Sequence, residues 1–283
     1  SWVHQFTAAE CSVRSFEGRI ALVTGAGSGI GRATAEALAQ EGAHVAVTDV
    51  ADDPMQETVE RIHAAGHEAT ALRLDVTSKS QMEKVREQLE SSIGVPSVLV
   101  NNAGIAVGAH FLDTSEESWE RIMASNLMGV VHCCRTFIPA MVESGQSGHV
   151  VNIASMLGYT QAQGVSAYCA TKFGVLGFSE CLRAELAAQE IGVSVICPGF
   201  IRTTIIKSGV LELGDENPEE RRKSIDAIYE KRNYPPERVA AAIVKAIRRN
   251  RAVVPVAPEA WLAYYLKRWT PWLVRGVVAR IDI

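Results

Sequence analysis

Residues 20–31 read IALVTGAGSGIG. Ile20–Thr24 is a short apolar run that stops at glycines, the pattern of a buried strand. After the glycines, Arg32–Glu41 is rich in alanine and other good helix formers, and Gly42 closes it. Glycines let the backbone turn tightly and come close to an anion. The helix that follows aims its N-terminal N–H groups and positive dipole end at the same point. A strand, a glycine turn and a helix in this order predict a pyrophosphate-binding crossover.

The same alternation continues on both sides of that unit. His44–Asp49, Ala69–Asp75, Ser97–Asn101, His149–Ala154, Gly192–Cys197 and Ala252–Val256 read as strands. Pro54–Ala65, Ser80–Ser91, Ser115–Met141, Tyr168–Gln189 and Pro236–Asn250 read as helices. Strands alternating with helices mean a parallel sheet covered on both faces. Right-handed crossovers then give an α/β, Rossmann-like, doubly wound sheet. Residues 18–257 form the expected domain, preceded by an arm or linker over 1–17. About residues 201–235 break the rhythm with a polar, charged stretch, expected to be a lid insertion. A C-terminal tail follows over 258–283.

The bulk numbers narrow the function. At 283 residues and 47% apolar composition, the chain can bury one full core. A net charge of −4 supplies no overall field for nucleic acid. Six cysteines form no C-x-x-C pair and no zinc-like cluster with histidine, so no metal site is expected. Most lie in apolar segments, which fits a reducing, cytoplasmic setting. No apolar run is long enough to span a bilayer. The chain shows no secretory leader and no initiator Met, which suits processing or a longer parent polypeptide.

The glycine spacing is T-G-x-x-x-G-x-G over Thr24, Gly25, Gly29 and Gly31. In that spacing the chain resembles the short-chain dehydrogenase/reductase family. Gly25, Ser28, Gly29, Ile30 and Gly31 are expected to cradle a dinucleotide. Asp49 ends the second strand, where a carboxylate can accept from both ribose hydroxyls of NAD and repel the 2′-phosphate of NADP. No Arg or Lys lies in the turn or directly after Asp49, so NAD is the expected cofactor and NADP the less favoured one.

Tyr168 and Lys172 lie four apart in YCATK, which places them on one helix face. A phenol near pKa 10 is a poor acid/base at neutral pH, and a nearby ammonium favours the phenolate. Ser155 follows the strand HVVNIA at its C-terminal end, where ligands bind in such sheets. Its hydroxyl can orient a substrate oxygen. Asn126 sits within a long helix, where asparagine is a mildly unfavourable choice.

The resemblance then implies a role for each residue. Ser155, Tyr168 and Lys172 match the family's catalytic triad, and Asn126 matches the residue that completes its proton relay to the lysine. Asn102, Ala103 and Gly104 match the segment beside the adenine ribose. Asp75 and Val76 match the adenine contact. Pro198, Gly199, Ile201 and Thr203 match the stretch that holds the nicotinamide carboxamide. The match covers roughly residues 18–255. It implies an NAD-dependent oxidoreductase that interconverts an alcohol and a ketone or aldehyde. The competing readings are an NADP-linked ketone reductase and a catalytically silent nucleotide-binding scaffold. Family members form dimers or tetramers through their long helices, so a homodimer or homotetramer is implied.

Val107, Met156, Leu157, Tyr159 and Phe200 are expected to line the substrate pocket, with Ile205 and Ile206 entering from the lid. Their apolar character predicts a hydrophobic, lipid-like substrate. From residue 238 onward nine basic residues face only Glu259 and Asp282, a net of +7. Aromatic residues interleave with these charges over Trp261–Leu273. That pattern suits either packing on the lid or a neighbouring subunit, or peripheral contact with a membrane. Tails of this kind resemble those of lipid-active family members and of dehydrogenase halves fused to an α/β-hydrolase.

Overall fold

The computed structural model describes residues 13–203, 205, 209–212 and 217–278. Its centre is a seven-stranded, all-parallel sheet in the order β3-β2-β1-β4-β6-β7-β9. The strands are β1 (Ile20–Thr24), β2 (His44–Asp49), β3 (Ala69–Arg73), β4 (Val98–Asn101), β6 (Gly148–Ile153), β7 (Ile191–Pro198) and β9 (Val253–Val256). All positions of β4, β6 and β7 are buried, as expected for strands covered on both faces. Pro255 lacks a donor and is tolerated because β9 is an edge strand.

Helices cover both faces. On one, α1 (Gly29–Gln40), α2 (Asp52–Ala64) and α8 (Pro236–Arg248) bury Leu38, Ile62 and Ile243 in one apolar cluster, with α8 lying over β7 and β9. On the other, α3 (Lys79–Ser92), α5 (Gly129–Glu143) and α6 (Ser166–Leu186) bury Met82, Leu89, Phe137 and Met141. The strand order reverses between β1 and β4, so a crevice opens at their C-terminal ends.

Three features differ from the sequence reading. Val13 and Phe16, assigned to the arm, are buried in the core, and the Arg248 guanidinium covers the Phe16 ring. The expected single helix over 115–141 is three pieces: α4 (Glu116–Met123), a π-helical turn (Ala124–Met128) and α5. One extra residue per turn changes the face on which side chains emerge, and Asn126 lies in that turn. The lid carries its own strand. Val210–Glu212 (β8) pairs in parallel with Val107–Ala109 (β5), outside the main sheet. After β8 comes α7 (Pro218–Arg232). Three-residue strands show no alternation, which is why neither was predicted.

The tail folds as two helices, α9 (Pro258–Trp269) and α10 (Pro271–Val278). Ala260, Ala263 and Tyr264 pack on the protein, while Trp269 and Trp272 are 75% and 70% exposed. Among the described residues, no helix is long and apolar enough to cross a membrane. Five cysteines are free thiols, four of them buried and Cys181 exposed; Cys11 lies outside the described residues. Those residues hold no cluster suited to a metal.

Candidate active site

The crevice at the β1/β4 switch point is a groove of about 730 Å³. Gly25, Ser28, Gly29 and Ile30 line it together with Asn102, Ala103 and Gly104. Asp49, Asp75, Val76, Thr203 and Ile205 also line it. Gly25 and Gly29 adopt φ of +63° and +53°, a region costly for side chains. A Cβ on Gly25 would fall 2.8 Å from the Ala103 Cα, and one on Gly31 would overlap the Gly25 carbonyl. The turn is therefore packed too tightly for any other residue. Asn102 fixes it from the β4 end: its Nδ2 donates to the carbonyls of Thr24 (2.9 Å) and Gly25 (3.0 Å). Thr24 Oγ1 accepts from the N–H groups of Asn102 and Ala103, both at 3.0 Å.

These residues fit a dinucleotide. The first turn of α1 contains no carboxylate to compete with a pyrophosphate. Asp49 is already oriented, since its Oδ2 accepts from Gly27 N (2.9 Å) and its Oδ1 from Ala51 N (3.1 Å). The cation nearest the turn in sequence, Arg32, is already paired. Its guanidinium donates to Gly27 O and pairs with Glu57 at 2.7 Å. Asp75 is similarly fixed, accepting from Thr77 N and Oγ1.

The Ser–Tyr–Lys group does not line this groove but lies behind Gly104. A Cβ on Gly104 would come within 3.0 Å of Asn126 Oδ1 and 3.8 Å of Lys172 Nζ. Ser155 caps a 3₁₀ turn over Met156–Gly158, its Oγ accepting from Leu157 N at 3.2 Å. It also hydrogen-bonds the Tyr168 hydroxyl. Lys172 is buried, donates to Ile153 O at 2.9 Å and lies 5.6 Å from the Tyr168 ring centre. Asn126 is wholly buried. It accepts from Ile105 N (2.8 Å) and donates to Ile105 O (2.9 Å) and, at 3.5 Å, to Thr171 Oγ1. The π-helical turn aims this amide at the Gly104–Ile105 backbone.

The electrostatics differ from the sequence expectation. Burial lowers the Lys172 ammonium to about 8, with the neighbouring Cys197 acting in the opposite sense. Burial likewise holds the Tyr168 phenol above its ordinary value, and Tyr229 adds to the effect. Only the Ser155 hydrogen bond pulls it down. At Tyr168 desolvation outweighs that hydrogen bond.

The expected substrate residues divide. Met156 and Leu157 lie on the 3₁₀ turn beside Ser155. Phe200 meets Tyr229 of α7 edge-on, with ring centres 5.5 Å apart. Tyr159 is committed to the tail instead: its hydroxyl donates to Ala260 O (2.6 Å) and its ring packs edge-on against Tyr264. Val107 is buried with Ile122 and Ala167 beneath Tyr168. Ile205 reaches the groove, whereas Ile206 lies outside the described residues. Of the carboxamide stretch, Thr203 lines the groove while Ile201 is buried in the core. Pro198 ends β7, and Gly199 lies against Glu259.

Sequence reasoning missed Tyr229, Arg232 and Glu259, all near Phe200. Tyr229 and Arg232 sit in a helix of charged residues with little apolar periodicity, and Glu259 is one carboxylate in an otherwise basic tail.

Residues 19–212 match the family described as short chain dehydrogenase. The chain is 43% identical over 264 residues to probable oxidoreductase EphD of Mycobacterium tuberculosis, covering 92% of this chain and 44% of that protein. It is 35% identical over 250 residues to putative oxidoreductase SadH of the same species, covering 87% and 88%. A short chain dehydrogenase/reductase from Burkholderia phymatum, solved in complex with NAD, superposes with a TM-score of 0.84 at 28% identity, covering 92% and 96%. The chain belongs to the short-chain dehydrogenase/reductase family. It spans less than half the length of the EphD relatives.

Proposed function

We propose that the chain is an NAD-linked dehydrogenase that interconverts a hydrophobic alcohol and its carbonyl, with Tyr168 as the acid/base. The observation that carries this reading is the convergence of Ser155, Tyr168, Lys172 and Asn126 directly behind Gly104, at the end of the nucleotide groove. Bound NAD supplies the hydride acceptor or, when reduced, the donor. Gly25–Gly31 would hold its pyrophosphate, Asp49 the adenosine ribose hydroxyls and Lys172 the nicotinamide ribose. Tyr168 exchanges a proton with the substrate oxygen, which Ser155 orients. Asn126 fixes the Ile105 backbone and the Thr171 hydroxyl one residue from Lys172. The preference for NAD is supported by the oriented Asp49, by an Arg32 neutralised by Glu57, and by the NAD in the Burkholderia relative. A hydrophobic substrate is supported by Met156, Leu157, Phe200 and Tyr229 around the Ser155–Tyr168 pair.

A screen of steroid, retinoid, acyl and small alcohols, read by reduced-nicotinamide absorbance with NAD and NADP, tests the reading. Turnover of an apolar alcohol with NAD is expected. Thermal shifts with NADH but no turnover of any alcohol or ketone would establish the silent, nucleotide-binding alternative.

Three finer readings go with it. A homodimer or homotetramer through α4–α5 and α6 is supported by Met128, Val142 and Phe173, exposed apolar residues on those segments. Light scattering after size exclusion measures it. Peripheral membrane contact is supported by exposed Leu262, Tyr265, Trp269 and Trp272 beside Lys267 and Arg268. Co-sedimentation with anionic liposomes tests it, and equal binding by a Trp269→Ser/Trp272→Ser variant removes it. The third reading is the dehydrogenase part of a longer cytoplasmic fusion, which the native protein's mass in a lysate tests.

A further inference from the structure

The lid is fastened at β8 and at the end of α7. At the β8 end, Glu212 accepts from Ser115 N (2.9 Å), Ser115 Oγ (2.7 Å) and Ser118 Oγ (2.8 Å), which ties β8 to the start of α4. At the other end, the last residue of α7, Arg232, donates through Nη2 (2.9 Å) and Nε (3.3 Å) to one carboxylate oxygen of Glu259. Glu259 lies in the first turn of α9, so the lid is held by the C-terminal tail.

The other oxygen of that carboxylate has a different task. Oε1 accepts the backbone N–H of Phe200 at 3.0 Å. The carboxylate also lies flat on Gly199, where any Cβ would overlap it. The backbone at Ala257 takes φ +87°, a strained value for a residue with a side chain, and this turn swings Glu259 from the end of β9 towards the end of β7. Phe200 is thus gripped twice, its N–H by Glu259 and its ring by Tyr229 of the lid. Tyr229 in turn is close enough to Tyr168 to disfavour its phenolate. One carboxylate therefore joins the tail, the lid and the loop that follows β7.

We propose that Glu259 is a positioning residue that latches the substrate lid over Tyr168 by holding Arg232 and the Phe200 backbone together. On this account the C-terminal helix is a working part of the active site. The pair is partly buried, with Glu259 and Arg232 side chains 23% and 36% exposed, so its loss is felt more than that of a surface ion pair. Burial by itself would raise the Glu259 carboxyl. Hydrogen bonds from Arg232, its own N–H and Phe200 N–H outweigh that and hold it below the ordinary carboxylate value. The proposal rests on the reading of Tyr168 as the reacting group only for its kinetic consequence; the latch itself is a property of the unliganded chain.

The test compares the full chain with its Glu259→Gln, Arg232→Gln and double variants. Glutamine keeps the shape and the acceptor for Phe200 N–H but removes the charge that holds Arg232. Amide hydrogen exchange in the unliganded protein is expected to rise roughly tenfold over residues 217–232 in Glu259→Gln, with strands β1, β2, β4 and β6 unchanged. The double variant should be no more mobile than the worse single one. ADP, used as a probe of the adenine half of the groove, should bind all four proteins equally. With a turned-over alcohol, KM should rise about tenfold, more than kcat falls. Exchange over 217–232 equal to the parent's, or raised evenly across the whole chain, overturns the latch. Raised local exchange with unaltered KM keeps the latch and refutes instead the placement of substrate beneath it.

Discussion

Replacing Lys172 by Met should make the unliganded protein more stable while abolishing turnover. The ammonium is buried, and its pKa falls from the ordinary 10.5 to about 8 because burial penalises the charge. At neutral pH that drop corresponds to ~3 kcal/mol of folding free energy spent on keeping Lys172 charged. Methionine retains most of the aliphatic stem. It loses the 2.9 Å bond to Ile153 O, which costs about 1–2 kcal/mol when the carbonyl is left unpaired. The net gain is about 1–2 kcal/mol, or a rise in Tm of roughly 2–8 °C for a domain of this size. The sign can be checked through pH. Between about 8 and 10.5 the unfolded chain binds more protons than the folded one at this position, so the parent gains stability as pH rises. The variant has no such group, and the gap should narrow by about pH 9.5. Differential scanning calorimetry at both pH values measures it. A variant that melts below the parent at neutral pH, by a margin unaffected at pH 9.5, would refute the claim that burial governs Lys172.

Other perturbations follow from the same geometry. Asn126→Ala strips partners from both backbone groups of Ile105 and should cost about 3 kcal/mol, seen as a lower urea midpoint. Asp49→Ala removes the carboxylate that would face a 2′-phosphate, and should shift the ratio of NADP to NAD affinity by at least about tenfold, measured by nucleotide titration. Gly31→Ala drives a methyl group into the Gly25 carbonyl, so NADH binding should be lost even if the sheet survives by circular dichroism. Of the described thiols, Cys181 alone should react promptly with a thiol reagent in the native state. Cys134 and Cys197 are buried and pushed up to about 12, and should label only on unfolding.

The sheet and the nucleotide groove were legible in the sequence for a physical reason. Strands such as VLVN and HVVNI are buried on both faces and cannot alternate, and the turn after β1 admits only glycine at Gly25 and Gly31. Local pattern and global fold agree there. What escaped notice depends on contacts made across long separations. The β5/β8 pair joins residues about a hundred apart, with three residues in each strand. The π-helical turn at Asn126 breaks a helix that periodicity alone runs straight through. By composition the tail is basic and aromatic. Its decisive feature is the single acid Glu259, whose meaning appears only once Phe200 and Arg232 are beside it. The depressed lysine follows from burial, which spacing does not report.

Tyr168 is proposed to move the proton and to leave nucleotide binding to its neighbours. The measurement that tests it most directly is a paired one on Tyr168→Phe: steady-state turnover of an alcohol accepted by the parent, and NADH affinity by fluorescence titration. Phenylalanine preserves the ring over Val107 and Ala167 but removes the hydroxyl bonded to Ser155. Turnover should fall by about 100-fold or more with NADH affinity within about twofold of the parent's. Turnover close to the parent's, with NADH still bound, would contradict the account.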